Sequence, residues 1–172
     1  MLTLKKYIGI VLLSSVFIGQ VSYANATLTV PMYFTSEHNT NEKAGTIEIT
    51  ETAYGLLFTP HLQGLTPGIH GLHIHQNPSC ENNGMAAGGH FDPHKSDKHR
   101  GPYDNSGHLG DLPALYINAN GTSTLPVLAP RITHLSTLKD HAIMVHDGGD
   151  NYSDLPEKLG GGGSRMVCGV IK

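Results

Sequence analysis

Short segments in which apolar and polar side chains alternate recur along the chain from residue 28 onward. The clearest lies at residues 45–50, where Ile47 and Ile49 alternate with Thr and Glu, the pattern of a strand with one face in a core. Gly, Pro, Asn and Asp, which favour turns, separate these segments. About eight short strands are predicted, at residues 28–35, 45–50, 54–59, 69–75, 114–117, 122–128, 141–146 and 165–171.

Helical periodicity is weak throughout the chain. Only residues 131–139 suggest a short helix, and no repeat or interdomain linker interrupts the alternation. Short strands without intervening helices predict an all-β fold, either an antiparallel sandwich or a barrel. A length of 172 residues fits one such domain.

Two long segments break the strand pattern, residues 77–113 and residues 147–164. Loops of this length inside a compact domain are usually functional or disordered. The first carries several His residues and spaced carboxylates, and the second ends in four consecutive glycines. Metal ligation would explain how the first loop is ordered, because it supplies folding energy that a hydrophobic core does not.

The first 26 residues have the pattern of an export signal. Lys5 and Lys6 precede an apolar run at residues 8–18, and small residues follow that run, as in secretory signal peptides. The run is much shorter than the ~20 residues of a membrane span. We therefore predict a signal peptide at residues 1–24, with cleavage after residue 26 as the alternative. The mature domain is then residues 25–172, with no membrane segment after cleavage.

Composition and charge argue against one class of partner and point to one chemistry. The formal net charge is −3 and the pI is about 6.4, so the chain lacks the basic surface of a nucleic-acid-binding protein. His occurs 12 times, compared with 11 Lys and Arg together. Because imidazole is the commonest metal ligand, the positions of these histidines indicate where a metal ion could bind.

The only two cysteines are Cys80 and Cys168. Export favours a disulfide between them, and closing a loop of about 88 residues would stabilise the fold by roughly 4–5 kcal/mol. Two buried thiols are one alternative. A two-thiolate zinc site is another, which the many histidines disfavour.

Several histidines have positions that suit metal binding. His73 and His75 alternate within a predicted strand, so both side chains lie on one face, and His146 ends another predicted strand. Zinc accepts nitrogen and oxygen ligands, and an imidazole-rich set suits Cu(II) or Zn(II). The residues alone therefore predict an exported metalloprotein with one or two metals. The long loop adds further candidate ligands: His90, His94, His99, His108 and Asp111.

Five motifs follow one another along the chain: residues 70–75 (HGLHIH), 88–93 (GGHFDP), 99–102 (HRGP), 107–112 (GHLGDL) and 163–171 (GSRMVCGVI). In order and spacing they resemble one known family, the Cu,Zn superoxide dismutases, in their bacterial periplasmic branch. The resemblance runs from about residue 28 to residue 172. It implies an eight-stranded antiparallel Greek-key sandwich or barrel of immunoglobulin-like architecture, with two long functional loops. It also implies a periplasmic location and makes a homodimer possible.

The resemblance implies a copper site and a zinc site in each subunit. His90 belongs to both sites, and an imidazole between two cations must lose both ring protons. The implied copper ligands are His73, His75, His90 and His146. The implied zinc ligands are His90, His99, His108 and Asp111.

The resemblance also implies roles for residues beyond the ligands. Asp150 is expected to hold the outer nitrogens of His73 and His99, which fixes the orientation of these rings. Arg165 is expected to draw the anion to copper, and the Cys80–Cys168 disulfide to tie the long loop to the strand that carries Arg165. The implied reaction is dismutation of superoxide to dioxygen and hydrogen peroxide by copper redox cycling, with structural zinc. His90 is expected to take part by gaining and losing a proton.

Two other functions are compatible with these residues, and some histidines have no assigned role. A periplasmic copper store or chaperone could reuse the fold, and a zinc hydrolase could use an open three-histidine site. His94 could compete with His99 for zinc. Loss of the signal peptide changes the formal net charge from −3 to −5, so attraction of an anion would depend on the local field around Arg165. The remaining histidines are predicted to be surface or structural residues: His38, His61, His70, His134 and His141.

Overall fold

The structure is a computed structural model and describes residues 26–35 and 42–172. The predicted signal peptide and His38 lie outside the described residues. Over the described ranges, no helix is both long and apolar enough to cross a membrane. The strands are β1 (Thr27–Phe34), β2 (Lys43–Thr52), β3 (Gly55–Leu62), β4 (Gly68–His70), β5 (Leu72–His75), β6 (Leu115–Ile117), β7 (Val127–Ala129), β8 (His141–His146) and β9 (Arg165–Ile171).

The strands form one large antiparallel sheet and one small one. The large sheet has the order β5-β8-β9-β1-β2-β3-β7, and β4 pairs with β6. Leu72 on β5 and Leu56 on β3 lie near opposite ends of this order, yet both belong to a single buried apolar cluster. The sheet must therefore curl around its core. The all-β antiparallel prediction is confirmed.

The predicted strand at residues 69–75 is two strands, so the described part of the chain has nine strands where about eight were expected. Gly71 separates them, so that β4 pairs with β6 while β5 pairs with β8. The Gly71 N–H donates to Gly148 O, and Gly71 O accepts from the His146 N–H. A Cβ at Gly71 would lie 3.1 Å from His73 Cε1, so only glycine fits this transition without displacing a neighbour.

Two other predicted elements are shorter than the sequence suggests. The predicted helix at residues 131–139 is wrong except for a single 3-10 turn at Leu135–Leu138. The predicted strand at residues 122–128 retains ladder pairing only at Val127–Ala129, with a bridge from Ser123 to Leu62.

The two predicted long loops are present, and each contains one short 3-10 helix. These helices are Met85–Ala87 in the first loop and Lys158–Gly161 in the second. The predicted disulfide is present, and it joins Cys80 in the first loop to Cys168 on β9 with the Cα atoms 5.8 Å apart. Both loops cover the side of β5 and β8 that faces away from the core.

Candidate metal centre

Three histidines of the candidate centre lie on two neighbouring strands. β5 carries His73 and His75, and its antiparallel partner β8 ends at His146. Because residues two apart on a strand share a face, the two β5 imidazoles lie opposite Leu72 and Ile74, which pack in the core. The Nε2 atoms of His75 and His146 are 3.3 Å apart. The ladder between β5 and β8 thus sets the spacing of the imidazoles.

His90 reaches the same three histidines from the first loop. It forms an isolated β-bridge with His75, and its ring stacks on that of His73 with the centroids 4.0 Å apart. One nitrogen from each of His73, His75, His90 and His146 lies within 4.8 Å of the others. We call these four residues the strand cluster, since three of them lie on strands.

A second group of donors converges on one carboxylate oxygen. Asp111 Oδ1 lies 2.9 Å from His90 Nδ1, 3.0 Å from His99 Nδ1 and 3.3 Å from His108 Nδ1. All four residues are buried, and all come from the first loop. We call them the loop cluster. His90 belongs to both clusters, with Nδ1 facing Asp111 in the second.

Asp150 joins the two clusters on their outer side. Its Oδ2 accepts a hydrogen bond from His73 Nε2 at 2.8 Å, and its Oδ1 accepts one from His99 Nε2 at 2.7 Å. The Tyr152 N–H also donates to Oδ1 at 2.7 Å and so fixes the carboxylate. Each imidazole therefore turns its Nδ1 atom inward. The orienting role that the family resemblance implies for Asp150 stays a prediction, with which these contacts are compatible.

Burial keeps the imidazoles of the strand cluster neutral in the metal-free protein. It lowers the pKa of His73 and of His75 well below the usual value, and the neighbouring His90 lowers both further. Burial and His90 also lower the pKa of His146 to about 4. Neutral imidazole is the form that binds a metal ion, so these side chains are ready for ligation at neutral pH.

The loop cluster has the opposite electrostatic character. Burial disfavours charge on His99, but hydrogen bonds to Asp111 and Asp150 outweigh it and raise the pKa of His99 to about 9. Burial likewise opposes ionisation of Asp111, yet hydrogen bonds from His108, His90 and His99 hold the pKa of this carboxyl well below its usual range. At neutral pH the metal-free cluster therefore holds a carboxylate and a protonated His99.

Arg165 lies beside the strand cluster at the start of β9. In the β8–β9 ladder it pairs with His146. Its Nη1 donates to Gly84 O, and its Nη2 donates to Gly88 O at 2.6 Å. Gly88 O also accepts from His75 Nδ1 at 2.9 Å. One carbonyl thus connects the guanidinium to a candidate ligand, in a part of the loop that the disulfide ties to β9.

Further histidines of the described residues lie outside both clusters. His94 is exposed and belongs to neither cluster. His70 Nδ1 donates to His146 O at 2.8 Å, which fixes the backbone of a candidate ligand. His141 Nδ1 donates to Gln76 O at 2.8 Å, and His134 lies 3.8 Å from Glu51. These contacts agree with the structural or surface roles that the sequence predicts.

Sequence reasoning missed some residues that support the clusters. Asp154 Oδ2 accepts the His99 N–H at 2.9 Å, which links the second loop to the first. Arg131, which lies outside both loops, donates to the backbone carbonyls of Gly107 and His108. The carbonyl of Gly88 was missed as well. Neither residue type nor spacing marks such contacts, because they depend on how distant segments meet.

The two donor sets suit different metals. Four imidazole nitrogens suit Cu(II), whereas three imidazole nitrogens and one carboxylate oxygen form the tetrahedral set that zinc favours. His73 Nδ1 and His90 Nε2 are buried and have no hydrogen-bond partner among the described residues. Because buried polar atoms rarely lack partners, these nitrogens fit direct bonds to a cation.

Comparisons with known proteins agree on one family. Residues 43–171 match the family described as copper/zinc superoxide dismutase (SODC). A curated relative from Salmonella typhimurium, named as a Cu-Zn superoxide dismutase, is 54% identical over 175 residues, covering 97% of this chain and 99% of the relative.

Solved structures give the same result. The Cu/Zn superoxide dismutase from Brucella abortus has a TM-score of 0.81 and 46% identity, covering 86% of this chain and 100% of that one. The solution structure of the monomeric enzyme from Salmonella enterica has a TM-score of 0.75 and 50% identity, again with coverage of 86% and 100%. The family match at residues 43–171 contains both long loops and the strands β2 to β9.

Proposed function

The chain belongs to the copper/zinc superoxide dismutase family, and we propose that it converts superoxide to dioxygen and hydrogen peroxide with one copper and one zinc ion. The observation that carries this proposal is the pair of four-residue clusters that share His90. Two adjoining sites with different donor sets suit a redox metal beside a structural one. A copper store would need neither the loop cluster nor Arg165.

We assign the strand cluster to copper and the loop cluster to zinc. Copper supplies reversible one-electron chemistry when bound, which closed-shell zinc does not. His73, His75, His90 and His146 would hold the copper ion, and His90, His99, His108 and Asp111 would hold the zinc ion. The unpaired nitrogens of His73 and His90 support the first assignment. The convergence of three Nδ1 atoms on Asp111 supports the second.

His90 has the position to handle a proton as well as a metal. Its Nδ1 faces the buried Asp111 carboxylate at 2.9 Å, while Nε2 faces the strand cluster. The ring is thereby held from one side while the other nitrogen stays available. We assign Nε2 as the atom that holds a proton and passes it to the reduced product.

Arg165 would bind the substrate anion. Its guanidinium is partly buried and is held by two backbone carbonyls, so it keeps a fixed position near His146. Burial lowers the pKa of Arg165 from its usual value, but guanidinium stays protonated at working pH. Because the formal net charge is −3 for the full chain and −5 without Lys5 and Lys6, attraction of superoxide depends on this local positive charge.

We further propose export to the periplasm through residues 1–24, which the sequence pattern supports. The relative from Salmonella enterica is described as monomeric. A homodimer of this chain stays a prediction, and sedimentation of the mature protein at several concentrations tests it. Mass spectrometry of the exported protein tests the cleavage site.

The function is tested by metal analysis paired with superoxide consumption on the mature protein. We expect one copper and one zinc per chain and rapid consumption after loading with both ions. His94→Gln is the matched control, because this exposed histidine lies outside both clusters, and we expect unchanged metal content and activity. Zinc alone after full copper loading, without superoxide consumption, would overturn the proposal. Bound copper without turnover would favour a copper store instead.

A further inference from the structure

Arg131 lies outside the first loop but contacts it at three points. It follows β7, where its backbone is fixed by the neighbouring Ile132, whose side chain is buried in the core. Ile132 O also accepts the Leu56 N–H at 2.8 Å. The base of the Arg131 side chain is therefore attached to the rigid part of the sheet.

The guanidinium of Arg131 joins the two ends of one excursion of the loop. Its Nη1 donates to Gly101 O at 3.2 Å and to His108 O at 3.0 Å. Its Nη2 donates to Gly107 O at 2.9 Å. Residues 103–106 between these points are exposed, whereas Gly101, Gly107 and His108 are buried. The three bonds close the base of the excursion directly beside the loop cluster.

Two further hydrogen bonds fix the ends of this excursion from within the loop. The His108 N–H donates to Lys98 O at 2.9 Å, and the Arg100 N–H donates to Asp111 Oδ2 at 3.1 Å. Both partners belong to the same loop, so these bonds shape it without attaching it to the sheet.

The nearest backbone attachment of this segment to the sheet lies just after His108. Gly110 O accepts the Ile74 N–H of β5 at 2.9 Å, and Asp111 forms an isolated bridge with His73. Arg131 adds an attachment at His108 itself.

We infer that Arg131 is a positioning residue for the zinc site, which it prepares by holding the backbone of His108 against the sheet. The inference rests on the proposed assignment of zinc to the loop cluster. A planar guanidinium can direct two nitrogens at three carbonyls, whereas the ammonium of Lys is a single point donor. Residues that support metal ligands from outside the ligand set typically change metal affinity by about 10–100-fold when they are lost.

The test measures zinc dissociation constants by chelator competition on the copper-free protein. We expect Arg131→Met to weaken zinc binding about 10–100-fold and Arg131→Lys to have an intermediate effect. The copper dissociation constant of the zinc-free protein should stay within about twofold of wild type, since the strand cluster makes no contact with Arg131. Lys98→Met is the matched control, because it removes an exposed positive charge from the same loop, and we expect no change.

Two results would overturn the inference. One is zinc affinity within about twofold of wild type in Arg131→Met. The other is equal weakening of zinc and copper, which would show a general structural role. If Arg131→Met does not fold, Arg131→Lys carries the same comparison. The assignment of zinc to the loop cluster is tested separately with Asp111→Ala. Unchanged zinc affinity in this variant would overturn that assignment, whatever the result for Arg131.

Discussion

The two clusters of the metal centre share His90 but are built in different ways. In the strand cluster, His73, His75 and His146 lie on two hydrogen-bonded strands whose other face packs in the core. Apart from His90, the loop cluster comes from residues 99–111, where the described backbone has no β-ladder. Its position depends on single contacts, such as those of Arg131 and of Asp154 and the isolated bridge between Asp111 and His73.

The contrast shows that a small domain can position two metal sites by two different means. The sheet positions the strand cluster through packing and ladder bonds that exist without a metal ion. The loop cluster must gain part of its order from ligation, because metal binding supplies folding energy to segments that lack their own core. His90 belongs to both clusters, and Asp150 bonds to His73 in one and to His99 in the other, so the position of each cluster constrains that of the other.

Removing a strand ligand should have the largest effect. We expect His75→Gln to abolish copper binding and nearly all superoxide consumption while zinc content stays at one ion per chain. The reason is that His75 belongs to the strand cluster alone. Metal analysis and a superoxide consumption assay check this, with the exposed His61→Gln as control. Loss of zinc together with copper would show that the two clusters cannot be separated in this way.

Removing a loop ligand should have the converse effect. Asp111→Ala deletes the oxygen on which three imidazoles converge, so we expect zinc to be lost under mild chelation while copper stays mostly bound. Inductively coupled plasma mass spectrometry after dialysis measures both metals. Stoichiometric zinc in this variant would mean either that another residue, such as His94, replaces Asp111 or, if the zinc affinity is also unchanged, that the assignment of the zinc ligands is wrong.

Substitution of Arg165 changes the charge beside the strand cluster without changing its ligands. A unit charge at a few ångströms is worth up to about 4 kcal/mol at an effective dielectric constant near 20. We therefore expect Arg165→Ala to slow superoxide turnover about tenfold and Arg165→Glu to slow it more, with both metals retained. Salt should lower the rate of wild type and raise that of Arg165→Glu, because screening weakens attraction and repulsion alike. Three identical rate curves across ionic strength would leave Arg165 a purely structural residue.

The smallest expected effect is a difference in proton release. His99, with a pKa of about 9, is protonated at pH 7.5 before zinc binds, so zinc binding to copper-free protein should release about one proton. Copper binding to zinc-free protein should release almost none, because the strand histidines are already neutral. Below pH 9, zinc affinity should then fall about tenfold per pH unit. Calorimetry in buffers of different ionisation enthalpy measures both counts, and equal counts would contradict the contrast.

The sequence predicts the strand cluster more directly than the loop cluster. Alternation places His73 and His75 on one face from local pattern alone, and the structure agrees. The choice of His99 over His94 depends on family spacing, because an unpatterned loop gives no local rule. The division of the strand at Gly71 was missed, since it follows from contacts with Gly148 and His146. Arg131 was missed for the same reason: its three acceptors are distant in sequence.

Hydrogen exchange on the metal-free, copper-loaded and zinc-loaded protein tests the contrast between the clusters most directly. Amides of Leu72–His75 and His141–His146 should be protected in all three forms, because the ladder and core hold them. Amides of residues 99–111 should gain strong protection only when zinc is present. Equal protection of these loop amides in the metal-free protein would contradict the account.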